Sequence, residues 1–173
     1  MTDLKKYIRD IPDFPKKGII FHDITPLLQN AGAFESAIER MADMLRGSAI
    51  DYLVGIESRG FIFASALAIK LRTGLVIVRK PGKLPYVTIN ASYDLEYGSD
   101  SLEVHRDAIH QGSRVVLIDD LLATGGTAKA AGDLIEKLGG EIAGYCFLVE
   151  LTELGGHKKL SPRNVWSVVK YEA

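Results

Sequence analysis

Two apolar runs, separated by a stretch with helical period, restrict this chain more than any other feature. "RVVLID" (114–119) and "EIAGYCFLVEL" (141–151) lack the alternation of a strand with one wet face. Strands of that kind are buried on both sides, which requires helices covering both faces of a sheet. Between them, "GTAKAAGDLIEKLGG" sets Ala128, Ala131, Leu134, Ile135 and Leu138 on one helical face. Strand, crossover helix and strand make the unit of a parallel sheet. The pattern repeats upstream. "YLVGI" (52–56) is followed by the helical "FIFASALAIKLR", stopped by Gly74, and then by "LVIVR" (75–79). Phe34, Ala37, Ile38, Met41, Ala42 and Leu45 predict an amphipathic helix ended by Gly47, and "VWSVV" (165–169) predicts an edge strand. The expected architecture is α/β, a mostly parallel twisted sheet flanked by helices, in a single domain over 1–173.

Composition narrows the function classes. With 173 residues and 47% hydrophobic content, the chain can bury one proper core. A net charge of −1 supplies no basic field for nucleic acid or an anionic membrane, so neither is an expected partner. The longest apolar runs, 61–69 and 145–149, are too short to span a bilayer, and "MTDLKKYIRDIPDF" has no apolar core of a secretory signal. Cys146 is the one cysteine, so no internal disulfide exists and a cytoplasmic location is expected. Inside "GYCFLVE" it reads as a small core residue. His105, His110 and His157 show no metal-ligand spacing.

Two segments depart from ordinary fold grammar. Residues 80–101 lack helical periodicity and contain Pro81, Gly82, Pro85 and Gly98. A loop of that length in a compact domain is usually functional, commonly a lid, with a flexible hairpin as the alternative. The other is "VVLIDDLLATGGT" (115–127), where a buried strand runs into adjacent acids and then a threonine–glycine loop. Ligands of open α/β sheets collect at the carboxyl ends of strands. Ala123, Thr124, Gly125, Gly126 and Thr127 offer inward backbone N–H groups, hydroxyls and a helix N-terminus, a cradle for a phosphate monoester. Asp119 and Asp120 beside it suit a diol, since a carboxylate accepts from two hydroxyls. A ribose 5-phosphate carries both groups. No nucleoside-triphosphate lysine follows the loop and no G-x-G-x-x-G occurs, which sets aside ATPase and dinucleotide readings.

These residues resemble the phosphoribosyl-pyrophosphate motif of the type I phosphoribosyltransferases. "PKKGIIFHDITPLL" (15–28), "GIESRGFIF" (55–63) and the segment 79–98 extend the resemblance over nearly the whole chain, toward the adenine-using branch of that family. It implies transfer of phosphoribose from phosphoribosyl pyrophosphate to adenine, giving AMP and pyrophosphate, by a homodimer. It also implies Mg²⁺ bound mainly through the substrate, a small hood over 1–30 and a flexible lid over 80–101.

The resemblance assigns residue roles too. Asp119 and Asp120 serve the ribose hydroxyls and the cationic sugar, and 123–127 hold the 5-phosphate. Ser58 and Arg59 belong to the pyrophosphate loop, with a non-proline cis peptide at Glu57–Ser58. Arg79, Lys80 and Lys83 reach pyrophosphate, partly across the dimer interface. Glu96, in "DLEYG", handles the adenine proton, and Ile20, Phe21 and Leu122 form the base pocket. His22 stands where the family commonly has arginine. Two other readings predict different features: a 6-oxopurine enzyme a lysine at the base pocket, a donor-sensing regulator a DNA-binding segment.

Overall fold

The computed structural model describes residues 2–94 and 99–172. The chain forms two compact units, 1–40 and 41–173, with the boundary inside a helix. The first unit opens with a 3₁₀ turn at Leu4–Tyr7. Strands β1 (Arg9–Pro12) and β2 (Ile20–Asp23) then pair antiparallel, placing Asp10 opposite His22. Helix α1 (Thr25–Gln29) begins with proline in its first turn, where a missing N–H costs nothing. Helix α2 (Ala31–Leu45) carries the chain into the second unit.

The second unit is built on five parallel strands: β3 (Tyr52–Ile56), β4 (Gly74–Val78), β7 (Arg114–Leu122), β8 (Glu141–Leu151) and β9 (Asn164–Tyr171), in the order β4-β3-β7-β8-β9. Helix α3 (Gly60–Leu71) packs on β3, β4 and β7, and α4 (Gly126–Lys137) on β7 and β8. Covered strands explain the unbroken apolar runs. Val115 through Ile118 are all buried, as are Phe63 and Leu67 of α3 and Leu134 and Ile135 of α4. Each such side chain contributes about 1.5–3 kcal/mol by leaving water. Cys146 is fully buried in β8, as expected, and burial pushes its thiol up to about 12. A five-residue helix α5 (Gly156–Leu160) lies between β8 and β9. Among the described residues, no helix is long and apolar enough to cross a membrane.

Two differences from the sequence reading matter. The strand expected over 114–119 continues to Leu122, because Leu121 and Leu122 keep pairing with Val149 and Glu150 of β8. Asp120 therefore lies on the strand with Asp119 rather than past its end. The segment 80–101 is also more regular than a loop. Strands β5 (Thr88–Asp94) and β6 (Ser99–His105) pair antiparallel in register from Thr88–His105 to Asp94–Ser99. The hairpin alternative describes this part better, and Thr88-Ile89-Asn90-Ala91-Ser92 carries the period-two signal for it.

Candidate active site

At the carboxyl end of β3 and β7 lies a cleft of about 430 Å³. Glu57, Ser58, Arg59, Lys80, Asp100 and the 119–128 segment line it. A larger, shallower groove of about 660 Å³ runs along α4 between Lys129 and Lys159, with Lys129 already paired to Asp133. Of the two, the cleft is the one that unites strand ends, acids and a glycine loop.

The loop is left ready for an anion by its own capping. Gly125, the N-cap of α4, sits in the left-handed region at φ 79 and makes no side-chain cap hydrogen bond. Helices usually satisfy their first N–H groups with a Ser, Thr or Asp cap. Here the cap residue has no side chain, so those N–H groups and the positive end of the helix remain available to a ligand. Gly126 and Thr127 begin the helix itself, and Thr124 is exposed.

The two acids have different surroundings. Asp120 is 6% exposed and its Oδ2 accepts an ion pair from Arg59 Nε at 2.7 Å. Asp119 Oδ1 accepts the Asp120 N–H at 2.9 Å. Burial, then the adjacent Asp120 carboxylate, push the Asp119 carboxyl well above the usual carboxylate range, with the Arg59 charge opposing them. Arg59 is positioned as the N-cap of α3. That helix comes so close to β7 that a Cβ on Gly60 would stand 2.7 Å from the Ile118 carbonyl oxygen and 2.9 Å from Asp119 Oδ1. The preceding Glu57–Ser58 peptide is cis, as the resemblance implied.

Glu57 organises the basic cluster, a part that sequence reasoning missed. Its almost wholly buried carboxylate accepts the Lys80 N–H at 2.8 Å and Lys83 Nζ at 2.5 Å, and pairs with Arg79 Nε at 3.3 Å. Burial alone would raise its pKa, but the hydrogen bonds from Lys83, Lys80 and Arg79 outweigh that and hold it below the usual 4.5. Glu103, 7% exposed in β6, accepts the N–H groups of Lys83 and Leu84 at 3.0 Å each. Its pKa is also lowered, these backbone donors outweighing burial. Backbone bonds between Arg79 and Glu103 at 2.8 and 2.9 Å stitch β4 to β6. Lys80 Nζ donates to Asp100 across the mouth of the cleft.

Of the expected pyrophosphate residues, then, Ser58, Arg59 and Lys80 line the cleft, while Arg79 and Lys83 are turned onto Glu57, which lines it too. Leu122 is 1% exposed and packs in the apolar core as well as bordering the cleft. In the first unit, Ile20 is exposed and Phe21 meets Phe14 edge-on at 5.2 Å. His22 Nδ1 lies 2.7 Å from Asp10 Oδ1, so the imidazole is held by a carboxylate of its own hairpin. Glu96 lies outside the described residues. Among those described, no group of three or more His, Cys, Asp or Glu could hold a metal ion.

Residues 27–172 match the sequence profile of the phosphoribosyl transferase domain. A relative from Pseudothermotoga lettingae named adenine phosphoribosyltransferase is 56% identical over 98% of this chain and 99% of its own. Another of that name, from Trichlorobacter lovleyi, is 54% identical over 99% of this chain and 100% of its own. The crystal structure of adenine phosphoribosyltransferase from Thermoanaerobacter pseudethanolicus superimposes with a TM-score of 0.95 at 53% identity, covering 97% of this chain and 98% of that one. The Saccharomyces cerevisiae enzyme, complexed with D-2,5-dideoxy-2,5-imino-altritol 1,6-bisphosphate and adenine, does so with 0.90 at 43% identity over 95% and 96%.

Proposed function

Because the chain belongs to the adenine phosphoribosyltransferase family, which moves a 5-phosphoribosyl group from phosphoribosyl pyrophosphate to adenine, we propose how its residues divide that work. The family is one of pentosyltransferases of purine salvage, with AMP and pyrophosphate as products. The 123–127 loop holds the donor's 5-phosphate, and Asp119 and Asp120 hold the ribose hydroxyls. The observation that carries this is the uncapped α4 N-terminus directly following two strand-borne carboxylates. A carboxylate accepts from two hydroxyls at once, which suits a ribose diol.

Ser58, Arg59 and Lys80 take the pyrophosphate end, with Arg79 and Lys83 paired to Glu57 at its side. The bond from the anomeric carbon to pyrophosphate lengthens before the bond to adenine forms, leaving positive charge on the sugar. The strand-end acids stabilise that charge, and the cations stabilise the departing anion. Mg²⁺ fits as a partner of the donor rather than of a protein cage: it prefers hard oxygens, and one strand end supplies only two carboxylates. When bound, it neutralises part of the pyrophosphate charge. Glu96 accepts or relays the adenine proton, and Leu122, which borders the cleft, contacts the base. Lid closure by the hairpin excludes the water that would hydrolyse the donor.

A homodimer fits the outer surface, and a single free, buried cysteine fits the cytoplasm. Ile62 and Ile69 of α3 and Leu75 and Ile77 of the edge strand β4 are large apolar side chains left exposed, at 37–83%. Exposed apolar groups of this size mark protein contacts. The purine is tested by pyrophosphate release with adenine, hypoxanthine and guanine in turn. Adenine should be strongly preferred, and a comparable rate with guanine would sink the base assignment.

A further inference from the structure

The loop at 123–127 has no side-chain cap to keep its shape, yet its backbone is tightly contacted from behind. A Cβ on Gly156 would stand 2.3 Å from the Ala123 carbonyl oxygen and 2.7 Å from Leu122 Cδ1. From the other side, a Cβ on Gly125 would stand 3.0 Å from the Gly156 carbonyl oxygen. Two backbones meet here with no side chain between them. The turn that brings Gly156 in starts at Gly155, in the left-handed region at φ 70, and opens helix α5. Five residues make too short a helix to hold itself. What fixes it is Leu160, buried in the core, and a tether to the sheet.

That tether is Glu150. It is 3% exposed in β8, directly beside Leu122 of β7. A carboxylate so buried requires partners. Ser167 Oγ donates to it at 2.7 Å and Lys170 Nζ lies at 3.4 Å, both from β9. The third partner is His157 Nδ1, also at 3.4 Å, which ties α5 to the sheet. A continuous path therefore runs from the sheet through Glu150, His157 and Gly156 to the carbonyl of Ala123 and the cap at Gly125.

We propose that the Gly155–His157 turn, held by Glu150, keeps the 123–127 loop in its phosphate-accepting shape, so that Gly156, His157 and Glu150 are positioning residues for the donor. The inference rests on that loop being the seat of the donor's 5-phosphate. None of the three touches substrate. Their loss weakens ground-state binding of the donor, which raises its KM without changing the chemical step.

Initial rates over a grid of donor and adenine concentrations test this, alongside thermal unfolding of each variant. Gly156→Ala should raise the donor KM about ten-fold or more, through a shifted loop backbone. The adenine KM and the kcat at saturating donor should stay within about two-fold. His157→Ala should raise the donor KM about two- to five-fold, the value of one half-exposed polar contact. His157→Arg, which can still reach Glu150, should restore it. A folded Gly156→Ala enzyme with wild-type donor KM would overturn the proposal. So would His157→Ala with an unchanged donor KM, or a loss that arginine does not rescue, and this second pair decides if Gly156→Ala does not fold. A Thr124→Ala, Thr127→Ala double variant separates the two levels. If it binds donor poorly while Gly156→Ala binds normally, the loop keeps its role and the buttress alone falls. If the double variant is also normal, both fall together.

Discussion

The two ends of the cleft are prepared for phosphate in opposite ways. At the 119–127 end the donors are backbone N–H groups of an uncapped helix, fixed by a strand buried in the core and by the Gly156 backbone. Little there has to move or lose a partner to accept an anion. At the 79–103 end the donors are side chains, and each is already engaged: Lys80 with Asp100, Lys83 and Arg79 with Glu57. In the function proposed above, pyrophosphate binding is then an exchange, in which one anion replaces another. A preorganised cradle saves reorganisation on binding. An exchanged cluster gains less affinity and, in that function, would release pyrophosphate more readily once the covalent bond is broken.

The largest effect expected falls on neither cradle but on Glu96. Glu96→Gln keeps volume and hydrogen bonding while removing the charge that would stabilise the adenine proton. Single-turnover AMP formation should slow about 10²–10⁴-fold, with donor affinity little changed. A wild-type single-turnover rate would make Glu96 a bystander and give the proton to another group. Next comes the cradle. Gly125→Val forces a β-branched residue into φ 79 and against the Gly156 backbone. Donor affinity should fall about 10²-fold, equivalent to one or two charge-assisted hydrogen bonds, in a protein that still unfolds cooperatively.

The exchange end predicts a gain. Asp100→Asn removes the carboxylate that competes for Lys80, so pyrophosphate affinity should improve about two- to five-fold, while ribose 5-phosphate affinity stays constant. Weaker pyrophosphate binding would mean that Asp100 orders Lys80 rather than competing for it. The smallest effect is a titration. Glu57 and Glu103 have folded pKa values below the usual 4.5, so the stability they contribute is present above pH 4.5 and lost as pH falls through the folded values. Amide resonances of Lys80, Lys83 and Leu84 should therefore shift below pH 4.5, and those of Gly125 and Gly126 much less. Equal shifts in both sets would erase the distinction.

The same contrast decides what was legible in the sequence. The cradle is local: buried strand, two acids, glycines and helix are contiguous from Arg114 to Lys137, so period and composition reveal it. The sheet is legible for the same reason, since β3 and β8 have the bounds that their apolar runs suggested. Glu57 was visible beside Arg59, but its burial comes from the turn at 79–83, far along the chain. Glu103 sits between Leu102 and Val104, where alternation assigns it to solvent, yet the 82–84 turn covers it. Gly60 and Gly156 carry no mark of the strand or loop that each must admit. Long-range packing of backbone and charge decided these positions, and one-dimensional pattern does not record it.

The most direct test of two separately built phosphate sites is calorimetric titration of ribose 5-phosphate and of magnesium pyrophosphate into Gly125→Val and Lys80→Gln. A crossed pattern is predicted. Gly125→Val should lose ribose 5-phosphate and keep pyrophosphate, and Lys80→Gln should do the reverse. Parallel loss of both ligands in both variants would contradict the account, since the two ends would then be one coupled site.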